Sequence, residues 1–192
     1  MKLREQSHNK PLSGIILCLN VTTLLNDDQQ NPQRLAKNFS KEISNLYQCL
    51  KTQLPIYLIL NQCDKLSGFV EFFNDLSKEE LTQVWGMTLP LCNCTQIIDI
   101  VDFFKFEFEK LLYNLHQRIL WSFDSEKNQT SRELIYGFPE QMKLLKDPIN
   151  NFLKGIFHTM RDKEAIQLRG IYFSSTYQGE ESYDFLRKAI GL

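Results

Sequence analysis

Residues 54–90, LPIYLILNQCDKLSGFVEFFNDLSKEELTQVWGMTLP, decide the fold of this 192-residue chain. Near its start is an apolar run, residues 56–60, that begins with the β-branched Ile56 and carries no charge. Such a run is typical of a parallel strand covered on both faces by helices. Asn61 and Asp64 follow directly. Ligands of open α/β sheets bind beyond the carboxyl ends of the strands, so these two side chains lie where a site is expected.

Two further apolar runs predict strands of the same sheet. Residues 14–19 (GIILCL) precede the first stretch, and residues 168–174 (LRGIYFS) follow it much later. Between the first two strands, apolar residues recur at helical spacing after Pro32, which suits a helix start. The pattern predicts a βαβ unit and an α/β fold with a parallel sheet flanked by helices.

A long helical stripe begins at residue 97 and reaches residue 119. Phe103 and Phe106 lie off this stripe. Either the helix is buried on two faces or it offers aromatic surface to a partner, and we predict burial. A second helix is predicted over residues 138–157, kinked or split by Pro148.

The order of these elements predicts two parts. Residues 1–94 together with 165–192 form an incomplete α/β domain, and residues 95–164 form a helical insertion. Residues 182–192, SYDFLRKAIGL, have the pattern of a short amphipathic helix.

Composition narrows the possible functions. A formal net charge of −1 and a pI near 6.3 give no basic face, which argues against nucleic-acid partners. No apolar run is longer than that of residues 15–19, which is too short to cross a bilayer, and residues 1–10 do not resemble a signal peptide. We therefore expect a cytoplasmic chain that meets a membrane only through segments outside this sequence.

Cysteine usage argues against disulfides and metal. The five cysteines are an odd number in a chain without a secretion signal, so buried free thiols are expected. Cys92 and Cys94 form a C-x-C pair, but no second pair follows and the three histidines lack ligand spacing. We predict no metal site.

Three stretches together resemble one known family. PLSGIILCLN, residues 54–90 and LRGIYFSSTYQGEE are similar to the cytoplasmic domain of the IcmF/TssM proteins, most specifically over residues 64–73 and 83–88. These proteins are inner-membrane components of bacterial type VI secretion systems, with a relative in the Dot/Icm type IV system. The resemblance implies a partial P-loop-NTPase-like (GTPase-like) fold. It also implies partners among the membrane-complex and baseplate-side components of such a system.

The phosphate-binding half of that fold is missing from the sequence. Neither a G-x-x-x-x-G-K-[ST] loop nor an Asp-Thr-Ala-Gly turn occurs among the 192 residues. We therefore expect no enzyme activity and no cofactor for this chain alone. GTP or ATP with Mg²⁺ is expected only if an upstream segment supplies the P-loop. A fragment, a split gene product and a truncated family member all fit this expectation.

The resemblance implies a base-binding role for the polar residues at the strand ends. Asn61 and Asp64 fit the GTPase pattern Asn-Lys-x-Asp, whose Asp accepts hydrogen bonds from guanine, but Gln62 replaces the lysine and weakens the site. Ser174 and Ser175 stand where a second base-contacting loop would follow. The alternatives are that Asp64 caps the next helix and that the serines only connect elements.

Aromatic residues in the same motif suggest a second kind of site. Phe69, Phe72, Phe73 and Trp85 would suit an exposed cluster that contacts a partner, because aromatics dominate interface hot spots. The alternative is that they are core residues. No catalytic arrangement of Ser, His, Asp or paired carboxylates emerges.

These observations predict a cytoplasmic segment of a secretion-system membrane complex that acts through protein–protein contacts. One alternative is the base-binding half of a nucleotide hydrolase whose P-loop lies upstream. Another is an inert truncated fragment with an unpaired, aggregation-prone sheet edge.

Overall fold

The structure is a computed structural model that describes residues 12–25, 31–90, 97–125, 128–160 and 167–175. The described strands are β1 (Ile15–Asn20), β2 (Ile56–Asn61), β3 (Trp85–Thr88) and β4 (Leu168–Phe173). The described helices are α1 (Val21–Leu24), α2 (Asn31–Leu50), α3 (Phe69–Phe73), α4 (Lys78–Leu81), α5 (Ile97–Ser125), α6 (Gln129–Lys143) and α7 (Lys146–Met160). A 3₁₀ turn, Cys63–Lys65, follows β2.

The four strands form one mixed sheet in the order β1-β2-β4-β3. The three predicted strands are confirmed, and β1 pairs with β2, and β2 with β4, in parallel. The expectation of a purely parallel sheet is wrong, because β3 runs antiparallel to β4 at the edge. The α/β class is therefore confirmed, whereas likeness to a P-loop NTPase stays a prediction.

The two faces of the sheet differ in cover. Side chains that alternate inward, such as Leu58 and Ile171, are completely or almost completely buried. The neighbouring outward side chains are only partly buried or exposed, and Ile16 on β1 is 63% exposed. One face therefore faces the core, and the other is open among the described residues.

Helices α2 and α7 pack against each other and against the covered face. Pro32 lies in the first turn of α2, and Ile43 and Tyr47 of that helix are buried. Phe152 and Ile156 of α7 meet the inward residues of β1 and β2. The predicted crossover helix of the βαβ unit is thus confirmed.

Helix α5 joins the same core through one side. Its residues Phe104, Phe108, Leu112 and Leu115 are buried and belong to one hydrophobic cluster with the sheet and helices α6 and α7. Because the helices of residues 95–164 share this core, they pack directly on the α/β part. Whether the two parts are separate domains stays a prediction.

Two helix predictions need correction. The helix expected over residues 138–157 is split, as one of the two expectations had it, but the break lies between Lys143 and Lys146 and not at Pro148. Pro148 lies in the first turn of α7, where its missing N–H has no intrahelical role, so it starts a helix and does not kink one. Phe106 was expected to be buried but is 68% exposed, whereas Phe103 packs partly against the core. The predicted helix at 182–192 lies outside the described residues.

One glycine allows the motif after β2 to turn. Gly68 precedes α3 with a positive φ of 84°. A Cβ at this position would collide with the backbone carbonyl of Leu134 on α6. The glycine therefore serves both the left-handed turn and the close approach of α6.

Candidate functional site

The polar site at the end of β2 is built from three strand ends. Asn61 is the last residue of β2, and Gln62 follows it in the left-handed conformation with φ of 62°. This residue turns the chain into the 3₁₀ turn that carries Asp64. Thr22, just after β1, donates a hydrogen bond to the Gln62 side chain over 3.3 Å.

The end of β4 meets this turn through backbone hydrogen bonds. The Ser174 N–H donates to the Leu60 carbonyl over 2.8 Å, and the Cys63 N–H donates to the Ser174 carbonyl over 3.1 Å. The parallel pairing of β2 and β4 therefore continues past both strands and places Ser175 beside Asp64.

Asp64 is the centre of the polar site. Only 7% of the residue is exposed, and its carboxylate oxygen Oδ1 accepts a hydrogen bond from the Ser175 hydroxyl over 2.6 Å. The alternative in which Asp64 caps the next helix is wrong, because it lies inside the 3₁₀ turn and Gly68 is the N-cap of α3. The structure thus brings Asp64 and Ser175 together.

Asn61 contributes an unsatisfied group to the same site. Its side-chain oxygen Oδ1 is buried and has no hydrogen-bond partner in the described structure. A buried acceptor without a donor costs about 1–3 kcal/mol, so it favours a donor supplied from outside. Binding of a base by these residues stays a prediction.

The Cys63 thiol beside Asp64 is a core group. It is completely buried and donates to the Leu60 carbonyl over 3.4 Å. Burial raises the pKa of Cys63 to about 12, so the thiol is uncharged at neutral pH. By contrast, Cys18 and Cys49 are exposed, which corrects the expectation of buried thiols, and Cys92 and Cys94 lie outside the described residues.

The aromatic residues of the motif form a packed cluster. Phe72 and Phe138 have ring centroids 4.9 Å apart, and Phe72 is completely buried, so it is a core residue and does not contact a partner. Phe69, Phe73 and Trp85 are partly buried, and the Phe73 and Trp85 centroids are 5.2 Å apart. A partner-contact role stays a prediction for these three.

An apolar groove lies over the open face of the sheet. We call it the sheet groove; it has a volume of about 820 Å³. Its floor consists of Ile16, Tyr57, Ile59 and Tyr172, which point outward from β1, β2 and β4. Its wall comes from the motif aromatics Phe69, Phe73 and Trp85 and from residues 80–84, and Ser174 and Ser175 line the end next to Asp64.

A second apolar surface lies on the outer side of α5. We call it the outer stripe; it consists of Phe106, Tyr113, Leu120 and Trp121, which are between 63% and 76% exposed. At 100° per residue these four lie within an arc of roughly 100°. The arc is centred about opposite the buried stripe of the same helix. Sequence reasoning saw Phe106 off the buried stripe but missed the other three.

Among the described residues, no group of His, Cys, Asp and Glu side chains is arranged to hold a metal ion. Of the described helices, none combines the length and the apolar character needed to span a bilayer. Helix α5 is long enough to span a bilayer, but it carries charged residues along its length, including Lys105 and Glu109.

Comparison with known proteins gives one consistent result. A sequence model described as the IcmF-related N-terminal domain matches residues 1–192. The chain is 33% identical over 184 residues to a protein of Pseudomonas aeruginosa strain PAO1 described as type VI secretion system component TssM1. The alignment covers 96% of this chain and 17% of that relative. No solved structure matches the chain.

Proposed function

The chain belongs to the IcmF-related family. From this premise we propose that it is a cytoplasmic segment of a secretion-system membrane complex and acts through protein–protein contacts. The chain spans about 17% of the length of the relative that it matches.

The outer stripe of α5 is the observation that carries this proposal. A helix at the surface of a globular protein normally places polar residues opposite its core-facing side. Here three large apolar residues and a tyrosine occupy that position and are mostly exposed. Contiguous exposed apolar surface marks protein contact sites, and Tyr and Trp are enriched among the residues that dominate binding energy.

The spacing of the outer stripe indicates the kind of partner. Phe106, Tyr113 and Leu120 follow one another at intervals of seven residues, and α5 runs through 29 residues without a break. Residues at this interval lie near one line along the helix, about 10 Å apart, with the exposed Lys110 and Gln117 between them. We therefore propose that the partner is another component of the secretion complex that packs an apolar helical face along α5.

Complex assembly tests this proposal. In the full-length protein, Phe106→Ser, Tyr113→Ser and Leu120→Ser are combined, and the matched control combines Lys37→Ser and Lys41→Ser on the exposed side of α2. We expect the stripe variant to retain at least about tenfold less of one secretion component on co-purification, because each truncated anchor removes more than about 1 kcal/mol of binding free energy. The control should match the wild type. Wild-type recovery of every component with the stripe variant would contradict the proposal.

Nucleotide-base binding is a second candidate, supported by the polar site at the strand ends. The Asp64 carboxylate accepts a hydrogen bond from Ser175, which lines the end of the sheet groove, and the unpartnered Asn61 oxygen belongs to the last residue of the same strand, β2. A carboxylate accepts two N–H donors from one base edge. A hydrolase would in addition need phosphate-binding groups from outside these 192 residues.

Calorimetric titration separates the second candidate from the first. The chain is titrated with GTP, GDP and ATP in the presence of Mg²⁺, next to an Asp64→Ala variant. Micromolar binding that disappears in the variant would establish a working base site. If the wild-type chain and the Asp64→Ala variant give the same heat of nucleotide titration, Asp64 does not bind a base. The contact role then remains.

A further inference from the structure

The sheet groove has an unusual position for a surface that stays open. Parallel strands are normally buried on both faces, and their apolar side chains need cover on each. Here Ile16, Tyr57, Ile59 and Tyr172 form an apolar floor across three strands, and Ile16 is 63% exposed. The covered face already holds α2 and α7, so the groove requires a different segment.

We propose that residues 176–192 of this chain occupy the sheet groove, as an amphipathic segment packed across the outer face of the sheet. Ser175 lines the groove, so this 17-residue segment leaves β4 from the groove's own end.

The apolar pattern of this segment fits the groove. Placed on a helix, Tyr183, Phe185, Leu186 and Ile190 fall on one half of the circumference, and Asp184, Arg187 and Lys188 fall on the other. The other stretches beyond the described residues offer less. Residues 26–30 (NDDQQ) and 161–166 (RDKEAI) are mostly polar, residues 91–96 (LCNCTQ) and 126–127 (EK) are short, and residues 1–11 contain few apolar side chains.

The dimensions also agree. Four strands about 4.8 Å apart place the outermost strands roughly 14 Å from each other. A helix over residues 182–192 is about 16 Å long at 1.5 Å per residue. Residues 176–181 can span up to roughly 20 Å, enough to reach the groove floor from the end of β4.

The charge of the groove rim complements the segment. Glu80 lines the wall, and hydrogen bonds from the Ser77 backbone and side chain hold the pKa of Glu80 below its ordinary value. Glu80 thus supplies one negative charge to the groove wall, and the Arg118 guanidinium is close enough to lower the pKa of Glu80 further. Arg187 and Lys188 border the apolar half of the segment and would lie near this rim.

Three natural cysteines test the proposal in the full 192-residue chain. Cys18 lies on the outer face, two residues from Ile16; Cys49 is exposed on α2 at the covered face; and Cys63 is buried in the core. Cys92 and Cys94 are replaced by serine throughout. The rate of labelling by a thiol reagent is measured at pH 8, where the Cys63 thiol stays protonated and serves as a reporter of unfolding.

We expect Cys18 to react at least about tenfold more slowly than Cys49, because covered thiols react only through local opening. Combining Leu186→Ser with Ile190→Ser should raise the Cys18 rate to that of Cys49 and leave Cys63 unreactive. The matched control, Arg187→Ser with Lys188→Ser, should keep most of the Cys18 protection, since it leaves the apolar half intact.

Other results would overturn the proposal. Equal labelling rates of Cys18 and Cys49, in the chain whose residues 176–192 are unchanged, would mean that this segment does not cover the outer face of the sheet. Protection that depends on protein concentration would identify a second copy as the occupant. Protection that appears only in the full-length protein would assign the groove to a segment upstream or downstream of this chain.

Discussion

At the residue scale, the hydrogen bond from Ser175 to Asp64 joins the ends of two strands. We expect Ser175→Ala to lower the free energy of unfolding by about 1.5–3 kcal/mol, since it removes a donor from a buried carboxylate. Ser174→Ala is the control, because Ser174 bonds to β2 through its backbone, and a change within about 0.5 kcal/mol is expected. Urea denaturation measures both. Equal effects would show that the Asp64 contact does not stabilise the fold.

The buried Cys63 thiol makes stability depend on alkaline pH. Its pKa is raised from an ordinary value near 9 to about 12 in the folded protein, so the stabilising difference is complete below pH 9 and is lost as pH rises from 9 towards 12. In this window the unfolded thiol ionises and the folded one does not. We expect wild-type stability relative to Cys63→Ala to fall by about 1.4 kcal/mol per pH unit. Denaturation at pH 8, 10 and 11 tests this, because the slope develops fully only above the unfolded pKa, and a constant difference would contradict it.

The proximity of Asp64 and Ser175 could be predicted from the sequence for a general reason. Each follows a strand, and parallel neighbours bring their carboxyl ends to one edge of the sheet. The orphaned Asn61 oxygen and the orientation of Gln62 towards Thr22 could not be predicted. Both depend on side-chain directions that the left-handed turn after β2 determines.

At the element scale, the junction between the 3₁₀ turn and α3 depends on Gly68. We expect Gly68→Ala to destabilise the protein by more than about 2 kcal/mol, since it combines a positive φ with a steric clash against Leu134. Gly137 inside α6 is the matched control, because a Cβ there meets nothing within 4 Å. Gly137→Ala should be neutral or stabilise by up to about 1 kcal/mol. Thermal denaturation of both variants checks the contrast.

Truncation of a side chain should cost much more stability on the buried side of α5 than on its outer side. Phe108→Ala on the buried side should cost about 3–5 kcal/mol of unfolding free energy through the cavity that it leaves. Phe106→Ala on the outer stripe should change stability by less than about 0.5 kcal/mol, because its side chain is mostly exposed. A large loss from Phe106→Ala in the isolated chain would mean that the stripe packs within this chain and is not a contact surface.

The sequence predicted some strands and helices but not others. Runs of five or six residues without a charge predicted β1 and β2, the segment LRGIYFS predicted β4, and regular helical spacing predicted α2 and α5. Strand β3 was missed because it has four residues, contains Gly86, and pairs only at the sheet edge. Its inward residues, Trp85 and Met87, alternate with Gly86 and Thr88, and this alternation was too short to predict a strand.

At the scale of the whole molecule, the sheet groove and the outer stripe of α5 are two separate exposed apolar surfaces. In our two proposals, residues 176–192 cover the sheet groove and another protein covers the outer stripe of α5. The sequence predicted a contact role but placed it on the motif aromatics, of which Phe72 is buried. The outer stripe could not be recognised until the packing of α5 showed which side faces the core.

Site-specific photo-crosslinking tests the contact role most directly. A photoreactive phenylalanine analogue replaces Tyr113 in the full-length protein, and Lys41 on the exposed side of α2 is the control position. In cells with an assembled secretion complex, we expect Tyr113, but not Lys41, to give an adduct with another component of that complex. The same substitutions that break the outer stripe, Phe106→Ser and Leu120→Ser, should abolish the adduct. No adduct at Tyr113, or equal adducts at both positions, would contradict a contact role for α5.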